Sequence, residues 1–221
     1  MKNLKTVLAA SVAAASLTMA AAPASAEVGA SVGIASTYLW RGYDLGSGTP
    51  AVYGDISYSS GGFYTGVWAS SGDTGAGSEY DLFVGYGMEF DGFSFDVNLT
   101  NYLYPTGAGY LGTEETDFFE MTDLIVTLGL GPVSFSYYDP IAGGAGYTDY
   151  NYYTLSTGFG AISATIGMED IDGDNSLHLD ISYAYNDNLS FTVSQQDGDV
   201  EELGLDTDPK FIVSYSLPIE M

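Results

Sequence analysis

From Val28 onward, apolar residues recur at every second position, the period of a half-buried β-strand. Val28, Ala30, Val32 and Ile34 share one face, and the same parity continues to Tyr38 and Trp40. The pattern returns in Val52/Ile56/Tyr58, Leu82/Val84/Tyr86/Met88, Phe93/Phe95/Val97/Leu99 and Leu124/Val126/Leu128. It continues through Val133/Phe135/Tyr137, Tyr153/Leu155/Phe159, Ile162/Ile166/Met168, Leu177/Leu179/Ile181/Tyr183, Leu189/Phe191/Val193 and Phe211/Val213/Tyr215/Leu217. Residues 63–69 form a further strand of open phase, because Tyr64 and Trp68 stand opposite Phe63 and Val67. The pattern predicts about twelve strands, an even number.

The connections arrange these strands. Five are tight: Gly61-Gly62, Asp91-Gly92, Gly131-Pro132, Gly160 and Asp187-Asn188. Six are long, spanning roughly 42–49, 72–78, 105–117, 141–148, 170–175 and 197–208. The two kinds alternate, so an up-and-down meander gathers every tight turn at one end and every long loop at the other. That is the layout of a transmembrane antiparallel barrel with short periplasmic turns and long external loops. A Greek-key sandwich has no reason to sort its loops this way. Rings fall in two groups. Trp40, Tyr80, Tyr102, Tyr104, Phe118, Phe119, Tyr137, Tyr138, Tyr150 and Phe211 lie toward the long loops; Tyr58, Phe63, Phe90, Phe93, Phe159, Tyr183 and Phe191 lie toward the turns. Such bands are expected at two lipid interfaces. One irregularity stands out: Phe119 and Met121 are odd, whereas Leu124, Val126 and Leu128 are even. Either a bulge near Thr122–Asp123 resets the phase, sending Glu120 into the lumen, or Phe119 lies above the membrane with Glu120 near the interface.

The start of the chain supplies the address. Met1-Lys2-Asn3-Leu4-Lys5 is basic, an Ala/Val/Leu run follows from Val7, and Ala24-Ser25-Ala26 offers the small residues of a cleavage site. Residues 1–26 read as a secretory signal peptide and 27–221 as an outer-membrane barrel. Lys2 and Lys5 belong to the leader, leaving Arg41 and Lys210 as the only Lys or Arg beside 29 acids. Such a chain cannot neutralise a phosphate backbone, which excludes nucleic-acid binding. With 19 Tyr, 11 Phe and 2 Trp it is not a disordered acidic tail. It has no cysteine, hence no disulfide and no thiol nucleophile.

Charge also bears on function. Most of the acids fall in the long connections, and Asp55, Asp81, Asp96 and Asp180 have lumen parity on separate strands, with Glu120 or Asp123 as further candidates. Acidic linings favour cations. His178 shares the parity of Asp180 and therefore also faces the lumen, away from acyl chains, so Ser/His lipid hydrolysis is disfavoured and no enzyme is expected. Arg41 ends the first strand and Lys210 begins the last, and closure makes these strands neighbours, so the two are expected to share one patch of the rim, as charge balance or as a latch that folds an acidic loop inward. Gly107-Ala108-Gly109-Tyr110-Leu111-Gly112 spells GxGxxG without the following helix that a dinucleotide needs. Asp170, Asp172 and Asp174 alternate like ligands of a hard cation but lack EF-hand spacing; a solvated acidic turn is the plainer reading, and no cofactor is expected beyond a loop-bound divalent ion shared with lipopolysaccharide.

Ser36-Thr37-Tyr38-Leu39-Trp40-Arg41-Gly42, Pro50-Ala51, residues 62–70 (GFYTGVWAS), residues 81–86 (DLFVGY) and Tyr102-Leu103-Tyr104-Pro105 resemble the TorF family of porins, most densely over the first half of the chain. Phe119-Glu120 matches an aromatic–acidic pair in that family. The resemblance implies an outer-membrane channel without naming a cargo. Such barrels commonly end in an aromatic residue read by the barrel-assembly machinery; this chain ends Pro218-Ile219-Glu220-Met221, with Tyr215 and Leu217 slightly upstream. The expectation is a cation-preferring diffusion channel for small hydrophilic solutes. The alternatives are a non-conducting surface or adhesion barrel, a lipid-modifying barrel and a soluble periplasmic β-protein. Oligomeric state is not encoded in any of these features.

Overall fold

The computed structural model describes residues 26–106, 118–143, 148, 150–171, 174–198 and 206–221. The leader up to residue 25, the GxGxxG segment and Asp172 lie outside the described residues. Twelve strands close into one antiparallel barrel: β1 (Glu27–Ala35), β4 (Ala51–Ser60), β5 (Phe63–Asp73), β6 (Gly77–Phe90), β7 (Phe93–Leu103), β8 (Met121–Leu130), β9 (Val133–Gly143), β10 (Tyr150–Phe159), β11 (Ile162–Ile171), β12 (Asp174–Ala184), β13 (Leu189–Gly198) and β14 (Lys210–Pro218). A small hairpin, β2 (Leu39–Trp40) with β3 (Tyr43–Asp44), occupies the first long connection. Each barrel strand pairs with its sequence neighbours, and β1 closes the ring against both β4 (Val32↔Gly54) and β14 (Val32↔Leu217). Closure leaves no sheet edge with unpaired backbone groups. Among the described residues no helix is long and apolar enough to cross a membrane, which does not bear on strands.

Period-2 alternation sets what each wall face presents. Val28, Val32, Ile34, Val52, Ile56, Val84, Leu155, Ile166, Leu179, Ile181, Val193 and Leu217 are exposed on the outside. Facing inward and buried are Asn98, Thr100, Ser136, Thr154, Ser182, Ser190, Thr192, Ser194 and Ser214. A water-soluble barrel buries its apolar face; here the apolar face is outside, far beyond the scattered apolar residues of an ordinary surface.

The structure resolves two readings left open and revises two others. The strand of open phase, β5, turns Tyr64 and Trp68 inward and Phe63 and Val67 outward; its lumen face carries the larger rings, which is why alternation did not resolve it. The connection expected at 72–78 shrinks to residues 74–76, because β5 and β6 pair up to Asp73↔Gly77 across an irregularity after Ser70. The bulge expected near Thr122–Asp123 is present as a register shift between β8 and β9, and Glu120 precedes β8 rather than standing in it. Finally, the first strand does not continue to Trp40. It ends at Ala35, Ser36 still donates its N–H to Val213, and beyond it the chain leaves the wall.

The aromatic bands divide accordingly. Tyr80, Phe118, Phe119 and Phe211 are exposed toward the loop end, and Tyr58, Phe63, Phe90, Phe93, Phe159 and Tyr183 toward the turn end. Tyr102, Tyr104, Tyr138 and Tyr150 are buried inside the barrel and belong to no outer girdle. Their parity matches that of Asn98, Thr100, Ser136 and Thr154, so they project into the lumen.

Candidate functional site

Within the connection 36–50, residues 37–46 fold down into the loop half of the lumen and are held there from several sides, while residues 47–50 stay exposed. Tyr38 donates its hydroxyl to Glu79 on β6 at 2.6 Å, and Tyr104 donates to the same carboxylate at 2.9 Å. Tyr43 donates to Glu169 on β11. Leu39 packs with Tyr38, Ala35, Ala51, Tyr53 and Ile212, with Trp40 and Trp68 alongside. Thr37 donates to Asp44, and the Gly48 N–H donates to Asp44 at 3.1 Å, which closes the loop on itself. Burial first, then the adjacent Glu79 carboxylate, holds the Tyr38 hydroxyl well above the usual tyrosine range. Burial and then Glu169 do the same for Tyr43. Both phenols are therefore donors at any ordinary pH.

Arg41 lies at the tip of this loop. Arg41 and Gly42 are the central pair of the β2–β3 hairpin, with φ of 49° and 86°. Positive φ at both positions is the requirement of a type I′ turn, where Asn-Gly is the common choice. An arginine there is held in an uncommon backbone state. Its side chain is 1% exposed. The Nη2 atom pairs with Asp123 Oδ2 at 2.9 Å, and Nη1 donates to the Tyr150 hydroxyl. The guanidinium carbon lies 4.3 Å from the Trp40 ring centroid, 4.4 Å from that of Tyr152 and 5.0 Å from that of Tyr138. A buried charge with this many partners is strongly localised; deleting one member of such a pair costs about 3–5 kcal/mol.

The expected rim patch of Arg41 with Lys210 is therefore corrected. Arg41 crosses the lumen to β8, β9 and β10, whereas Lys210 stays at the loop end of β14 and pairs with Asp206 at 2.7 Å. The physical reason is that Arg41 stands on an inward-folded hairpin and not on the last residue of a strand. The hydrogen bond from Lys210 holds the exposed Asp206 carboxyl below its usual range.

The other sequence candidates are distributed along the wall. Asp55 is half-buried and accepts from Ser31. Asp81 is half-buried on β6, two residues from Glu79, and Asp96 accepts from Tyr64 at 2.8 Å. Asp123 is fully buried against Arg41. His178 and Asp180 lie together, Nδ1 to Oδ2 at 3.2 Å, and Nε2 is 2.7 Å from the Tyr152 hydroxyl. This row orients the imidazole under the loop: a Cβ on Gly42 would fall 2.6 Å from His178 Cβ. The histidine is 4% exposed and has no serine within the row. Among the described residues no group of three His, Cys, Asp or Glu is placed to hold a metal ion.

The lumen tyrosines and Glu79 and Glu169 are the site residues that sequence reasoning missed. Glycines make room for some of the rings. Tyr53 lies across Gly33, Tyr64 across Gly85, and His178 with Tyr152 across Gly167, where added Cβ atoms would approach to 2.4, 2.3 and 2.0 Å. Gly and ring alternate on adjacent strands at these places, a signal readable once strand pairing is known.

A closed twelve-stranded barrel with an apolar exterior, an acidic and tyrosine-rich interior, and a first loop folded into that interior defines the class of this molecule. The chain belongs to the bacterial family Gcw_chp, described as "Bacterial protein of unknown function", whose profile matches residues 19–197. Solved structures similar to it include a mutant of the Rh. blastica porin, at 15% identity over 76% of this chain and 55% of that chain with a TM-score of 0.43. Another is outer membrane phospholipase A from Escherichia coli, at 11% identity over 87% of this chain and 90% of that chain, TM-score 0.45. A third is OprD of Pseudomonas aeruginosa, at 13% identity over 78% and 62%, TM-score 0.37. The chain thus spans about half the length of the Rh. blastica porin. No curated protein sequence matches it.

Proposed function

We propose that the protein is an outer-membrane channel for small hydrophilic solutes, that it prefers cations, and that loop 36–50 holds it in a low-conductance state. The observation that carries this reading is the inversion of the barrel: aliphatic residues cover the outside, while carboxylates and hydroxyls fill the inside. Hydrocarbon rewards that arrangement and water does not. Asp55, Asp81, Asp96, Asp123, Glu169 and Asp180 are on lumen-facing positions against two Lys or Arg among the described residues, Arg41 inside the loop half and Lys210 at its rim. The negative interior favours cation passage. The TorF likeness agrees with this reading, and the leader at residues 1–26 would direct the chain across the inner membrane.

The test is a planar bilayer with a salt gradient. The reversal potential is expected to move toward the cation Nernst value, less so as salt rises and carboxylates are screened. An anion-selective potential would refute the acidic-lumen reading. The second reading is a non-conducting surface barrel acting through its loops, and the specific observation behind it is the burial of Thr37, Tyr38, Leu39 and Arg41 inside the loop half. Absence of current in wild type and in variants with that loop released would favour it.

A further inference from the structure

Arg41 is bound as a ligand is bound. Four wall groups in contact with it belong to the barrel and not to the loop: Asp123 on β8, Tyr138 on β9, and Tyr150 and Tyr152 on β10. These four come from three consecutive paired strands, so the barrel fixes their spacing whether or not the loop is present. Asp123 sits at the β8 register shift, the kind of irregularity that re-aims a side chain, and Tyr102 donates to its Oδ2 at 3.3 Å. A carboxylate beside several ring faces is the chemistry that recognises a delocalised organic cation. On the loop side, Arg41 is presented from a turn position that an arginine rarely adopts, an outlier of the kind associated with clamps and switches.

We propose that Asp123, Tyr138, Tyr150 and Tyr152 form a binding site for small guanidinium-bearing solutes, and that Arg41 is its tethered occupant. A soluble guanidinium competes with Arg41, and winning that competition releases the tip of loop 36–50 from the wall. This deepens the channel reading and rests on it for the solute's access to the lumen and for the effect of release on current; binding itself is measured without current.

The experiment uses the purified barrel in detergent micelles, with guanidinium chloride as the probe and sodium chloride at equal ionic strength as the control. Trp40 and Trp68 are the only tryptophans, and Trp40 lies against the cage, so fluorescence reports occupancy. Arg41→Ala is expected to show a saturable response to guanidinium that sodium does not give. Wild type should require at least about tenfold more guanidinium, because a tethered competitor acts at an effective concentration on the order of millimolar or higher. Arg41→Ala/Asp123→Asn should lose the response at least about tenfold. Heat-modifiable gel mobility establishes that each variant is folded; if Arg41→Ala is not, Arg41→Lys, which keeps a charge but not the planar fork, replaces it with the same expected order. A response to guanidinium no larger than that to sodium, or one unchanged by Asp123→Asn, overturns the proposal. Binding without current in any variant would leave the site standing and defeat the channel; current without binding would do the reverse.

Discussion

Val97→Arg set against Asp96→Asn tests the facing of the barrel wall residue by residue. Val97 is the fifth of eleven residues in β7 and pairs with Tyr86 on β6 and Val126 on β8. Tyr86 is 44% exposed on the outer surface, which fixes the outward facing of Val97. A lipid-facing arginine near the bilayer midplane costs about 2–4 kcal/mol. At about 1.36 kcal/mol per tenfold, that is roughly a 30- to 900-fold loss in the folding equilibrium. Asp96 faces the lumen and accepts from Tyr64, a bond that the Asn carbonyl can keep. Its replacement should cost about 1 kcal/mol or less, the difference between a charged and a neutral acceptor. The assay is urea-dependent folding into phosphatidylcholine vesicles, followed by tryptophan fluorescence and heat-modifiable mobility. Were the barrel water-soluble, Val97→Arg would be a surface change within about 0.5 kcal/mol. Equal tolerance of the two substitutions, or a larger loss for Asp96→Asn, refutes the facing.

Three further outcomes follow from the lumen contacts. Tyr43→Phe leaves the Glu169 carboxylate without its phenolic donor and should cost about 1–3 kcal/mol in the same assay, with Ser176 as its remaining hydroxyl partner. Tyr38 and Tyr43 have hydroxyls raised above the usual range, so their contribution is complete below the unfolded tyrosine value of about 10 and is lost as pH climbs through the raised folded values. Ultraviolet phenolate titration of wild type against Tyr38→Phe/Tyr43→Phe should therefore differ only in its most alkaline phase; a difference near neutral pH would contradict the assignment. Gly167→Ala would place a methyl group 2.0 Å from His178 Nε2 and 2.6 Å from the Tyr152 hydroxyl, and should lower stability by about 1–3 kcal/mol, whereas Gly158→Ala, which meets nothing nearer than 3.8 Å, should be tolerated far better.

The wall was legible because a period of two assigns each residue to a face without knowledge of its partners. Ile166, Leu179 and Val193 turned outward as their parity required. The phase of β5 was not legible because Tyr64 and Trp68 are as apolar as the residues opposite them, and only their packing against Phe83, Tyr38 and Tyr53 reveals their side. The inward course of residues 36–50 was hidden for another reason. Tyr38 and Trp40 continue the parity of β1, so the segment reads as more strand, although β1 stops at Ala35. The partner that draws Arg41 inward, Asp123, is 82 positions away, beyond any local pattern. The lumen tyrosines were visible by parity yet read by chain position as interface rings. Parity is the stronger guide, since a residue's face is fixed by the pleat while its height along the strand is shared by lumen and lipid alike.

The most direct test of the account is to release loop 36–50 from the wall. Tyr38→Phe/Arg41→Ala/Tyr43→Phe removes the hydrogen bonds to Glu79, Asp123, Tyr150 and Glu169 that hold the loop inside the barrel. The account predicts that the released barrel, shown to be folded by heat-modifiable gel mobility, carries more single-channel current than wild type. A folded, released barrel that conducts no better than wild type would contradict the claim that this loop limits conductance.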